Sequence, residues 1–170
     1  MFLKLIGALF VVGGCGAVGF RVAAHHRYEE RLLRQFLSII EYMECELSFR
    51  LTPLPALCRQ AAENRRGALQ KFFLRLASEL DSQISPDVTS CIAAALNKTE
   101  NLTPVTSKLI KSLGATLGRF DLHGQLNGFA AIKSETKRCL DELSSSNNMR
   151  LRSYQTLGLC AGAALAIIFL

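Results

Sequence analysis

Three carboxylates, Glu41, Glu44 and Glu46, crowd one short stretch of this 170-residue chain. Clustered carboxylates hold hard cations or share a proton in acid–base catalysis, and either task needs groups that converge in a pocket. On a helix Glu41 and Glu44 share a face at an i,i+3 spacing, while Glu46 points elsewhere. No histidine lies near them in sequence. The expectation is a surface for a cationic partner, or a solvated face with intrahelical ion pairs, and no catalytic centre. His25 and His26 are adjacent, so their side chains diverge by about 100° on a helix and cannot both face one ion. They read as polar residues at a membrane interface. His123 falls in the first turn of a helix, where the dipole disfavours an imidazolium.

The six cysteines (Cys15, Cys45, Cys58, Cys91, Cys139 and Cys160) form no C-x-x-C pair and no zinc-like spacing with histidine. Cys45, Cys58, Cys91 and Cys139 fall at apolar helical positions, where a free thiol behaves as a small hydrophobe. A reducing cytosol fits this usage. The chain has no phosphate-cradling glycine loop, no G-x-S-x-G and no H-E-x-x-H. Catalytic residues, metal and cofactor are therefore all expected to be none.

One further group can shape a binding surface. Asp121 follows Gly114 and Gly118, which let a chain turn through positive φ or let helices approach closely, and it reads as the cap of the helix after that turn. The same residues would also serve as a contact loop for a partner.

The elements that must carry these residues are almost all helical. From Arg27 to Leu47, the residues Leu32, Leu33, Phe36, Leu37, Ile39, Ile40, Met43 and Leu47 recur at three- and four-residue steps. Nothing breaks the pattern upstream, so a rod of more than forty residues is predicted from the N-terminus to this stripe. It must end at Thr52-Pro53-Leu54-Pro55, because residues before proline leave the α region. Thr52 then reads as an N-cap with Pro53 at the first helical position, opening a second helix to about Arg66 that Gly67 stops. A third helix is predicted over Ala68–Ser82, with Leu69, Phe72, Phe73, Leu76 and Leu80 inside. Ser85-Pro86 opens a fourth to about Lys98, with Val88, Ile92, Ala95 and Leu96 inside, and Thr103-Pro104 a fifth ending near Gly118. The last runs from Leu122 past Leu143, and Ser144 to Asn148 is either a break or a weak helical bridge. The fold class is all-α, a helical bundle.

Both ends are uncharged, over Leu5–Phe20 and Leu157–Leu170. Sixteen and fourteen residues make roughly 24 Å and 21 Å of helix against a hydrocarbon core of about 30 Å, so both need flanking residues and some thinning of the bilayer to span it. The layout is an N-terminal transmembrane helix over 1–20, a bundle over 21–153 and a C-terminal transmembrane helix over 154–170. Arg21, Arg27, Arg31 and Arg34 after the first run, and Arg150 and Arg152 before the second, place the bundle in the cytoplasm. A rival reading is export, since Val12-Gly13-Gly14-Cys15 looks like a lipoprotein cleavage box. Gly158 and Gly162 form a G-x-x-x-G, and Gly13 with Ala17 a small-xxx-small pair, both suited to close helix packing in lipid.

The bundle holds 19 of the 20 Lys and Arg and all 14 Asp and Glu, leaving it at +5 with the signs interspersed. Basic clustering with stacking aromatics is missing, which argues against nucleic acid as a partner. Anionic lipid headgroups suit the arginines beside the apolar runs.

Two blocks carry a family pattern. Glu44-Cys-Glu-Leu-Ser-Phe-Arg-Leu-Thr-Pro-Leu-Pro55 and Leu113-Gly-Ala-Thr-Leu-Gly-Arg-Phe-Asp121, the latter followed by Gln125, resemble the two conserved blocks of the stage III sporulation protein AB family. The match extends to the layout of the whole chain. The resemblance implies a mother-cell membrane protein facing the forespore, with a soluble domain similar to those of the type II secretion F platform protein. It implies a non-enzymatic platform coupling a secretion-type cytosolic ATPase to other stage III sporulation membrane proteins. From the residues themselves, Glu41, Glu44, Glu46 and Asp121 are the candidate partner-binding positions, and a homo-oligomer is a further candidate assembly. A passive membrane-tethered adaptor and the exported lipoprotein are the alternatives.

Overall fold

The computed structural model describes residues 2–50, 52–63, 65–82, 87–117 and 123–145, with residues 2–23 described by their backbone alone. All regular structure among them is helical: α1 (Phe2–Arg50), α2 (Leu54–Ala62), α3 (Ala68–Ser82), α4 (Val88–Asn97), α5 (Pro104–Thr116) and α6 (123–145). The chain divides into two compact units, one of Met1–Glu30 with Asp141–Leu170 and one of Arg31–Leu140.

The 49-residue α1 is the uninterrupted rod that the absence of breakers predicts. Within the Arg31–Leu140 unit its stripe of Leu32, Leu33, Phe36, Ile39, Ile40, Met43 and Leu47 is buried, while Leu37 is half-buried. Helices α2, α3, α4 and α5 pack in sequence order, each on the next. Phe72 and Phe73 of α3 meet edge to face at 5.1 Å in the core, and Phe129 and Ile132 of α6 are buried in the same unit. Burying a side chain of this size stabilises by about 1.5–3 kcal/mol, which is why the apolar stripes rather than helix propensity hold the bundle together.

Helix ends depart from the sequence expectations in informative ways. Pro53, not Thr52, occupies the N-cap of α2: it is extended (φ −56°, ψ 139°), and its carbonyl accepts the first helical bond from the Leu57 N–H at 2.9 Å. No side chain caps this end; Pro55, which has no N–H to satisfy, lies in the first turn. The helix also stops at Ala62, four residues before Arg66, where its buried face of Leu57, Cys58, Ala61 and Ala62 runs out. Gly67, at φ +92°, therefore leads into α3 instead of closing α2. The N-cap of α4 is Asp87, whose carbonyl takes the Ser90 and Cys91 N–H groups; the expected Ser85-Pro86 start lies outside the described residues. Thr103 caps α5 as expected, its hydroxyl accepting from the Thr106 N–H.

Among the described residues no helix is long and apolar enough to cross a membrane. The side chains of 1–23 and all of 146–170 lie outside them, so the expected contacts of Gly13, Ala17, Gly158 and Gly162 do too.

Candidate partner-binding surface at the end of α1

Glu41, Glu44 and Glu46 have three different environments. Glu44 is ion-paired with Lys133 of α6, and the two side chains are 26% and 24% exposed. This pair ties together helices 89 residues apart in sequence and takes Glu44 out of the surface. Glu46 reaches Arg50 one turn on, at 3.8 Å, and its Oε2 is buried with no hydrogen-bond partner among the described residues. Glu41 is exposed and has no ion pair among the described residues. Of the expected acidic trio, Glu41 is the one left exposed without an ion pair among the described residues; Glu44 is engaged across the bundle and Glu46 along its own helix.

Neighbouring polar contacts hold this end of α1 in place. The Tyr42 hydroxyl donates to Gln60 Oε1 at 3.3 Å, and the Arg65 guanidinium donates to Ser38 Oγ at 2.9 Å, linking α1 to α2 and to the α2–α3 loop. Burial, helped by the charge of Glu46, pushes the Tyr42 phenol above its usual range. Phe49 stands at the tip, 83% exposed, and Cys45 one turn before it is exposed as well. The expectation of an inward Cys45 fails for a geometric reason. Two residues past the buried Met43, its side chain lies about 200° round the helix. Cys58 and Cys91 are buried as expected and Cys139 is half-buried. Desolvation lifts the Cys58 thiol to about 12, and Cys91 moves in the same direction for the same first cause.

Of the two roles open to Gly114 from the sequence, a turn or a close approach of helices, the structure excludes the turn. Gly114 lies inside α5, buried, where a Cβ would come within 2.8 Å of Ile92 Cδ1 on α4. The close contact is with the flexible tip of a side chain, so Gly114 eases the approach of α4 and α5 without being required for it. Gly118 and Asp121 lie outside the described residues. Sequence reasoning missed Gly128 of α6, where an added Cβ would sit 1.9 Å from Thr116 Cγ2 of α5. A glycine in mid-helix costs about 1 kcal/mol against alanine, and that cost was the available signal. Lys133 had no such signal, because nothing local in sequence pairs it with Glu44. His25 and His26 lie with ring centroids 6.3 Å apart, edge to face, and His123 is exposed. Among the described residues no three metal-ligating side chains are grouped to hold an ion.

Comparison with known proteins agrees with this architecture. A solved structure of stage III sporulation protein AB superposes with a TM-score of 0.64 at 20% identity, over 71% of this chain and 97% of that one, which establishes the shared fold. The stage III sporulation protein AB of Bacillus subtilis (strain 168) is 23% identical over 99% of both chains. The family model for stage III sporulation protein AB matches residues 4–170, so nearly every residue discussed above, from the apolar N-terminus to the last helix, falls within that match and the chain belongs to the stage III sporulation protein AB family.

Proposed function

We propose that this protein is a non-enzymatic membrane platform of a sporulation-specific, secretion-like apparatus, coupling a cytosolic ATPase of the secretion type to other stage III membrane proteins between mother cell and forespore. The observation that carries this reading is α1. One helix of 49 residues joins the uncharged Leu5–Phe20 run to the packed Arg31–Leu140 unit with no break between them. Helical backbone hydrogen bonds run through the whole of α1, so no unstructured linker separates the apolar run from the buried stripe. The apolar runs at both ends of the sequence anchor the chain in the cell membrane, and the flanking arginines keep the bundle in the cytoplasm, next to anionic headgroups. The Glu44–Lys133 pair supports the same reading, since it clamps α1 to α6, the helix that leads towards the second apolar run.

The test is co-purification of the full chain, in mild detergent, with the secretion-type ATPase of the same sporulation operon. The expected result is a complex with altered ATP turnover. A folded, helical protein that leaves both binding and turnover unchanged would overturn the coupling role and leave a passive tether.

A further inference from the structure

One segment of the Arg31–Leu140 unit carries cations that no carboxylate answers. Residues 64–78 hold Arg65, Arg66, Lys71 and Arg75 and no acid. Arg65 donates to the uncharged hydroxyl of Ser38 at 2.9 Å, and Arg75 makes one long bond, 3.4 Å, to Thr99 Oγ1. None of the four has an ion pair among the described residues. Glu79, one turn beyond Arg75, is taken instead by Lys98 at the end of α4, at 2.6 Å, and Asp81 by Arg59 of α2. Glu63 and Glu100 stand exposed at the margins and pair with none of the four. On α3, Lys71, Leu74, Arg75 and Ser78 recur at helical steps and are all exposed, with Arg66 exposed just before the helix. Phe72, Phe73 and Leu76 turn the other way and are 0% exposed. Folding does not ask for this arrangement: α3 has no acid in its first turn, and cations at the positive end of a helix dipole destabilise it.

We propose that this face of α3 docks an acidic segment of another protein, whose carboxylates meet Arg66, Lys71 and Arg75 around an apolar side chain seated on Leu74. The charge of the face selects an anionic partner, and Leu74, 47% exposed at its centre, selects one that also brings an apolar group. An anionic lipid surface answers the charges alone. A helix that lies on lipid buries its apolar face there, and the apolar face of α3 is already committed to the bundle core. One helix face falls short of the ~1,200–2,000 Å² of a stable complex, so the contact by itself is transient and weakens as salt is added. The proposal is independent of the platform reading: it names no ATPase, and coupling through another face would leave it standing or falling on its own test.

The test puts a photo-cross-linker on the face without touching its charges: Ser78→benzoylphenylalanine in the full chain, illuminated in sporulating cells, with the cross-linked peptide sequenced by mass spectrometry. The expected adduct is a segment of another protein in which Asp and Glu outnumber Lys and Arg. Lys71→Glu with Arg75→Glu is expected to lower its yield by about tenfold or more, and the neutral pair Lys71→Gln with Arg75→Gln to lower it less. Arg66→Glu separates recognition from folding. An acid just before the first turn of α3 should leave the urea midpoint unchanged or raised while the adduct is lost, whereas a purely structural Arg66 would lower the midpoint. No adduct, an adduct with lipid, with a second copy of this chain or with a segment lacking that acidic excess, or a yield indifferent to the charge changes, would overturn the proposal.

Discussion

Gly128→Ala is the substitution whose outcome depends most directly on how α6 meets α5. Placed on the backbone of α6, a Cβ would lie 1.9 Å from Thr116 Cγ2, 2.8 Å from its Oγ1 and 2.9 Å from its Cβ. A rotation about χ1 of Thr116 moves the first two atoms away. It cannot move the third, which is fixed to the backbone of α5, so the helices themselves must separate. Overpacking of this kind costs about 1–3 kcal/mol, whereas replacing a helical glycine by alanine returns about 1 kcal/mol of propensity. The expected net effect is a loss of about 1 kcal/mol. Gly114→Ala supplies the control of opposite sign: its nearest neighbour is the flexible tip of Ile92 at 2.8 Å, with the next atoms at 3.6 and 3.7 Å. A rotamer change relieves that contact, leaving a neutral or slightly stabilising substitution. Thr116→Ala alone removes a hydroxyl bonded to Ser112 O at 3.3 Å on a half-exposed residue and should change stability by under about 0.5 kcal/mol. In the double variant with Gly128→Ala it should recover only a small part of the loss, because alanine at 116 keeps the Cβ at 2.9 Å that forces the helices apart and removes only the atoms a rotamer change already clears. Urea titration of the full chain in mild detergent, scored by protease cleavage of the unfolded fraction, reads all four proteins. If Gly128→Ala proves more stable than the parent by the full propensity gain, the α5–α6 approach described here is wrong.

Three other outcomes follow from the same structure. Thr103→Ala should cost about 1 kcal/mol by removing a cap, while Thr52→Ala, at a position whose side chain caps nothing, should stay within about 0.5 kcal/mol in the same titration. Lys133→Met should destabilise by about 1–2 kcal/mol because it leaves Glu44 three-quarters buried without its partner, and Glu44→Gln in the same chain should return part of that loss. Stability should fall on the alkaline side: Cys58 is raised from 9.0 to about 12, so between those values the unfolded chain releases a proton that the folded chain keeps, and Cys91 and Tyr42 act with the same sign. A urea midpoint that is flat or rising over that interval would refute it, as would alkylation of native Cys58 as rapid as that of exposed Cys45.

What the sequence made legible was periodicity. The third helix runs over Ala68–Ser82 as the spacing of Leu69, Phe72, Phe73 and Leu76 predicts, and the absence of any breaker before Thr52 shows as the unbroken α1. Boundaries at proline were harder, because two prolines two residues apart both satisfy the local rule. Which one becomes the cap is decided by where the buried face of α2 begins and ends. The face of a single residue was also legible only where its neighbours were read as a stripe; Cys45 went astray because it was judged by residue type instead of by its angle from Met43. The partner of Glu44 was beyond local reasoning. A salt bridge across 89 residues is set by the packing of whole helices, which no window of sequence contains.

That last distinction changes what the acidic end of α1 can do. A cationic partner approaching Glu44 must displace Lys133 and leave its ammonium three-quarters buried without a counter-charge, an exchange that costs more than a surface pair returns. At Glu46 the competitor is Arg50, one turn away and 73% exposed, so displacing it is easier but the buried carboxylate offers a partner little access. Glu41 has neither obstacle, and it lies on the strip that ends in Phe49. A partner that uses this end of the helix therefore gains its charge contact at Glu41 and its apolar contact at Phe49. An assay that scores only Glu44 variants would then read bundle stability in place of recognition. Glu41→Gln, by contrast, removes a surface charge that pairs with nothing else among the described residues, so a loss of binding there reports the contact itself.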